Sequence, residues 1–166
     1  MSVSAKEVNE LRKATGAGMM DCKKALVETN GDFEAAVEYL RKKGQKVAAK
    51  RADKESSEGA VFVNTNADNS EGFMIALNCE TDFVAKNDDY VKLGENIIKA
   101  VAENKPSSRD EIMDLQVDGR TVNEHITEMI GKIGEKIEIS SYEKITGEKV
   151  VPYIHLGNKL GVLVAM

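Results

Sequence analysis

A carboxylate and a bare aromatic stand side by side in Asn78-Cys79-Glu80-Thr81-Asp82-Phe83-Val84-Ala85-Lys86-Asn87. That pairing suits the gripping of a partner better than the breaking of a bond. The preceding residues, Phe73 to Cys79, alternate as a half-buried strand does. Thr81 or Asp82 can then cap a helix running to about Glu103. An aromatic in a helix's first turn can leave its own domain and enter a partner's pocket, and such anchors dominate many interfaces. Helical periodicity supplies a competing reading. On a wheel Phe83 falls with Gly94, Ile97 and Val101, inside the apolar face that also holds Val91 and Ile98. Large apolar side chains are usually buried, so the pattern alone favours a core position over an anchor.

Little else in the chain has the types or spacing for chemistry. Cys22 and Cys79 lie within apolar patterns and read as small, reduced core residues. No Cys/His spacing suggests zinc, and two histidines cannot build a conventional metal site unaided. The stretch Asn66-x-Asp68-x-Ser70 begins like a calcium loop. It lacks glycine at the sixth position and has Leu77 where the twelfth-position glutamate belongs. There is no phosphate-cradling G-x-x-x-x-G-K-[ST] loop, no G-x-G-x-x-G after a strand and no G-x-S-x-G elbow. An enzyme is not indicated.

The elements that must position the Asp-Phe pair form an α+β pattern. Ser4-Ala5-Lys6-Glu7 is a capping box that opens a first helix with Val8, Leu11 and Ala14 inward. A second helix covers about Met19 to Thr29 and ends at the Asn30-Gly31 turn signal. A third starts at Asp32 and shows the stripe Phe33, Ala36, Val37 and Leu40. Helices this short must pack together to persist. After Gly44 a helical linker follows. Residues 59–65 and 72–79 then form a hairpin, and Ser108–Glu111 and Thr121–Glu124 are two more capping boxes. The second opens a helix with Val122, Ile126, Met129, Ile130, Ile133 and Ile137 on one face. Strands at about 137–145, 149–156 and 160–166 complete an antiparallel sheet with packed helices.

Composition narrows the classes further. Of 166 residues, 42% are hydrophobic and 31% charged, which places the chain among ordinary globular proteins. No apolar run approaches a bilayer span and no signal-peptide pattern opens the chain, so a cytoplasmic protein without a membrane partner is expected. Residues 1–53 carry 11 basic and 8 acidic side chains, net +3, whereas residues 54–166 carry 12 basic and 20 acidic, net −8. Arg41, Lys42, Lys43, Lys46, Lys50 and Arg51 form a basic run. Without interleaved aromatics it reads as a solvated helix face, and no direct nucleic-acid partner is expected.

Four segments carry a family resemblance. The run from Leu11 to Leu26, LRKATGAGMMDCKKAL, and the Thr81-Asp82-Phe83-Val84 segment are similar to signatures of the elongation factor Ts family. Lys132-Ile133-Gly134-Glu135-Lys136-Ile137 resembles a third family segment, with Lys136 where Asn is common, and Gly161-Val162-Leu163-Val164 a fourth. The matches keep their order along nearly the whole chain. The resemblance implies a guanine-nucleotide exchange factor that binds elongation factor Tu and promotes GDP release by disturbing its magnesium and phosphate site. Magnesium and nucleotide would belong to the partner, with no cofactor of the chain's own.

What the resemblance implies for architecture is a ubiquitin-associated-like three-helix bundle at 1–44, a helical linker at 45–57 and a core subdomain at 58–147. Residues 148–166 would be the first hairpin of a second core subdomain whose remainder the family has and this chain lacks. For contacts it implies Phe83 as the inserted wedge, with Asp82 fixing it and Thr81 and Val84 beside them. Met19 and Met20 would meet the partner's nucleotide domain with Lys23 one turn on, although one of the adjacent pair could face the bundle core. Arg51, Ile133, Gly134 and His155 are further candidates. Ile133 also fits a structural stripe, and His155 reads equally as an ordinary exposed strand histidine. A strand at the chain's end leaves an unpaired edge, and some short family members work as homodimers, so pairing with a second copy is expected. The rival function is a generic interaction module, which explains residues 1–50 but neither Thr81–Val84 nor Lys132–Ile137.

Overall fold

The computed structural model describes residues 2–166 and divides into two compact units. The first comprises residues up to Asp53 together with Thr127–Glu135, and the second Lys54–Ile126 with Lys136–Met166.

In the first unit α1 (Ala5–Thr15), α2 (Met19–Glu28) and α3 (Phe33–Arg51) pack around Val8, Leu11, Cys22, Ala25, Leu26 and Ala36. Burial of a leucine such as Leu11 or Leu26 stabilises by about 1.5–3 kcal/mol. The expected capping box forms: Ser4 Oγ accepts the Glu7 N–H, and the Glu7 carboxylate accepts the Ser4 N–H. Asp32 caps α3 through the Ala35 N–H. Three details differ from the sequence pattern. Ala14 is exposed rather than inward. Phe33 and Val37 also stay exposed, so α3 turns Ala36 and Leu40 toward the core instead of the full stripe. Finally, α3 runs unbroken through Gly44. A side chain there would meet the Thr127 carbonyl at 2.9 Å, and one at Gly131 would meet the Gly44 Cα at 2.8 Å. The glycine serves a close helix crossing, and the segment after it is helical as expected.

The second unit is built on an antiparallel sheet of order β1-β2-β5, formed by Glu58–Thr65, Glu71–Cys79 and Ile137–Thr146. Alternation divides its faces. Ala60, Phe62, Phe73, Ile75, Leu77 and Cys79 are buried on one side. Helix α5 (Asp88–Asn104) lies there, close enough that a side chain at Gly94 would strike the Phe62 ring. Val61, Gly72 and Met74 face the other side and receive the hairpin of β6 (Val150–Ile154) and β7 (Gly161–Ala165), through Val150, Gly161 and Leu163. Glu71, at the start of β2, is ion-paired with Lys105 and Lys144, and hydrogen bonds from those two lysines hold its carboxyl below the usual 4.5.

Between the sheet strands lie α4 (Asp82–Ala85), α6 (Arg109–Met113), a small ribbon of β3 (Gln116–Val117) and β4 (Arg120–Thr121), and α7 (Val122–Ile133). The ribbon turns at Asp118-Gly119, both at positive φ, a Asp-Gly hairpin signal overlooked in the sequence. Thr121 and Glu124 form the predicted capping box of α7. That helix stops at Gly134, in the left-handed region at φ 82°, so Ile137 belongs to β5 and not to the helix face. The architecture is α+β, N-terminal helices followed by an antiparallel sheet. Among the described residues no helix is long and apolar enough to cross a membrane.

Candidate partner-binding site

Strand β2 ends at Cys79, and the chain turns at once into the single helical turn α4. Thr81 takes the extended N-cap conformation at φ −125° and ψ 154°. The predicted helix from Thr81 to Glu103 is interrupted. Asn87 caps a new helix by accepting the Asp89 and Tyr90 N–H groups through Oδ1, at 2.9 and 3.3 Å. The break at Lys86-Asn87 resets the helical phase, which is why the wheel put Phe83 on the wrong side.

Phe83 is 84% exposed. Its neighbours are not: Val84 and Ala85 are buried, and α4 packs through them against β1 and β2. Val84 therefore anchors the turn from within. Asp82 is half-buried at the start of the turn, with one carboxylate oxygen 3.2 Å from the Lys86 ammonium. Beneath them the Cys79 thiol donates to the Thr81 carbonyl at 3.1 Å, and Tyr90 donates its hydroxyl to the Leu77 carbonyl. A flat apolar ring thus projects from a turn fixed on its other side, with an anionic group next to it. Such a feature can fill a pocket and accept hydrogen bonds at its rim. It offers no nucleophile and no acid–base pair.

In the first unit Met19 and Met20 open α2, and both are exposed, at 54% and 74%. The expected division, one outward and one in the core, does not occur because Cys22, Ala25 and Leu26 already fill the buried face of that helix. Lys23 is exposed one turn on. Arg51 ends α3 half-buried. Ile133 is half-buried at the end of α7, and Gly134 is exposed beyond it. Across the second unit's hairpin, His155 lies just past β6 rather than within it, exposed, its Nδ1 3.0 Å from the Tyr153 hydroxyl. Thr81 to Phe83 are thus gathered on one turn, and Met19, Met20 and Lys23 on one helix.

Residues 80–166, more than half of the chain and starting at the Phe83 turn, match the family described as Elongation factor TS. The chain belongs to the elongation factor Ts family. It is 51% identical over 166 residues to Elongation factor Ts of Amoebophilus asiaticus, with all of this chain and 60% of that protein covered. It is 56% identical over 164 residues to Elongation factor Ts of Christiangramia forsetii, covering 99% of this chain and 59% of the relative. For Elongation factor Ts of Cytophaga hutchinsonii the identity is 54% over 166 residues, with 99% and 60% covered. This elongation factor Ts family member therefore spans about three fifths of the length of these curated relatives.

Proposed function

We propose that this chain acts in translation elongation as a guanine-nucleotide exchange factor, binding elongation factor Tu in the cytoplasm and promoting GDP release. The observation that carries the reading is Phe83, a fully presented aromatic on a pinned turn in a chain of this family. Phe83 enters beside the partner's magnesium and phosphate site, and Asp82 supports that contact. Met19, Met20 and Lys23 make a second contact with the partner's nucleotide domain, with Arg51, Ile133, Gly134 and His155 as subsidiary positions. Magnesium and nucleotide are held by the partner, and no covalent bond is made or broken.

Linkage states what such a factor must do. It binds the nucleotide-free partner more tightly than the GDP-loaded one, and GDP then binds the complexed partner more weakly by the same factor. A wedge that displaces groups around magnesium supplies that difference, because its contacts form only where the nucleotide's are lost. Calorimetric titration of the chain into nucleotide-free and GDP-loaded elongation factor Tu tests this. The expected result is at least about tenfold tighter binding to the nucleotide-free form, the lower range of ordinary coupling energies. Equal affinities would remove the basis for exchange, since a ligand indifferent to two states shifts neither.

A second copy of the chain is the proposed occupant of the free edge of β7, which pairs only with β6 among the described residues.

A further inference from the structure

A wedge is useful only if its direction is fixed, and α4 is too short to fix itself. It spans four residues, one turn, and a single turn has no helical stability of its own. Val84 and Ala85 hold its buried side, the Cys79 thiol holds the Thr81 carbonyl, and the Asn87 cap sets where the next helix begins. One residue remains between the last strand residue and the turn. That residue is Glu80.

Glu80 Oε1 accepts the backbone N–H of Lys136 at 2.7 Å, across 56 positions of sequence. The donor is rigidly placed, because Lys136 precedes β5 directly and Ile137 is paired with Cys79 in the sheet. The Lys136 side chain is held as well, its ammonium donating to the Lys54 carbonyl at 3.3 Å and lying 3.6 Å from Glu138. Charge-assisted bonds to a fixed main-chain donor are among the stronger ones a carboxylate can make. A side chain that swings freely on a surface lysine would constrain nothing. This one ties the junction of β2 and α4 to the start of β5.

We propose that Glu80 is a positioning residue for Phe83: its bond to the Lys136 amide sets the angle at which the turn leaves the sheet, and so the direction in which the ring projects. The inference rests on the reading of Phe83 as the inserted wedge. Glu80 acts through the turn and needs no contact with the nucleotide.

The chain contains no tryptophan, so Phe83→Trp places a single fluorophore on the turn. Time-resolved anisotropy of that variant, in the isolated chain, reads the ring's local motion without any partner. Adding Glu80→Ala should raise the amplitude of fast local motion while the circular dichroism of the chain stays close to that of the parent. Glu80→Gln, which keeps an acceptor oxygen, should restore the parent's value. Glu80→Asp keeps the charge but falls a methylene short of the amide, so it should behave as Glu80→Ala does and serves if the alanine variant does not fold. In the Phe83 background, Glu80→Ala should lower the saturating rate of GDP release from elongation factor Tu by about tenfold, with the half-saturating concentration little changed. Misplacing a reacting contact by an ångström can cost about a hundredfold. Unchanged anisotropy in a folded Glu80→Ala or Glu80→Asp variant overturns the inference, whatever the exchange rate does. Wild-type exchange by Phe83→Ala would instead overturn the wedge reading, and the anisotropy would still report whether Glu80 orders the turn.

Discussion

Phe83 is left 84% exposed, so its ring gives almost nothing to the fold that carries it, and replacing it removes little apolar area from the protein interior. Surface substitutions of this kind usually change stability by no more than about 0.5 kcal/mol. Phe83→Ala is therefore expected to melt like the parent in a thermal scan while losing about 2–4 kcal/mol of partner binding, the range of a buried aromatic anchor. A large loss of stability would mean that the ring serves the fold. Val84, one residue on, behaves oppositely because it is buried beneath the turn. Met19 and Met20 resemble Phe83 in that their exposure has no use inside the bundle. Half-buried Asp82 and exposed Lys86 form a surface pair, and such pairs contribute little to stability. The carboxylate is thus free of any large structural duty, as its proposed role beside Phe83 requires.

Elements explain why that exposure was hard to read from sequence. Two of the capping boxes, the β1–β2 hairpin and the three last strands were legible because each has a local chemical signal: Ser4 with Glu7, Thr121 with Glu124, alternation from Phe73 to Cys79. At Ser108 the hydroxyl caps Glu111, but the Glu111 carboxylate accepts the Ser107 N–H instead. The break between α4 and α5 was not legible, because Asn87 caps by a hydrogen bond that competes with continuing the helix, and residue type alone does not say which wins. One missed break carried Phe83 into the wrong sector of the wheel. The reason for glycine at 44 was equally illegible, its helical cost being offset by a close crossing with Gly131 that only tertiary structure reveals. Glu80 escaped notice for a related reason, since its partner amide is 56 positions away. Gly94 makes an element-scale prediction. An added Cβ would lie 2.2 Å from the Phe62 ring, so α5 must retreat from β1 or the ring must leave its rotamer. Gly94→Ala is expected to destabilise the chain by about 1–3 kcal/mol in urea unfolding. Unchanged stability would mean that this contact yields without cost.

At the scale of the whole molecule, the hairpin β6–β7 covers one face of the sheet and presents an apolar face of its own. Val151 pairs with Val164 and Tyr153 with Val162, and all four side chains are exposed. A two-stranded ribbon with an open edge and an apolar face is prone to pair with another chain. Light scattering at micromolar concentrations is expected to give twice the mass of one chain. A monomeric mass throughout that range would contradict the proposed pairing. The proposed exchange role is independent of that outcome, because the turn that carries Phe83 is formed within a single chain. Stopped-flow release of a fluorescent GDP from elongation factor Tu, with this chain and with Phe83→Ala, tests the proposed wedge most directly. The chain is expected to accelerate release and the folded variant is not. Equal acceleration by both proteins would contradict it.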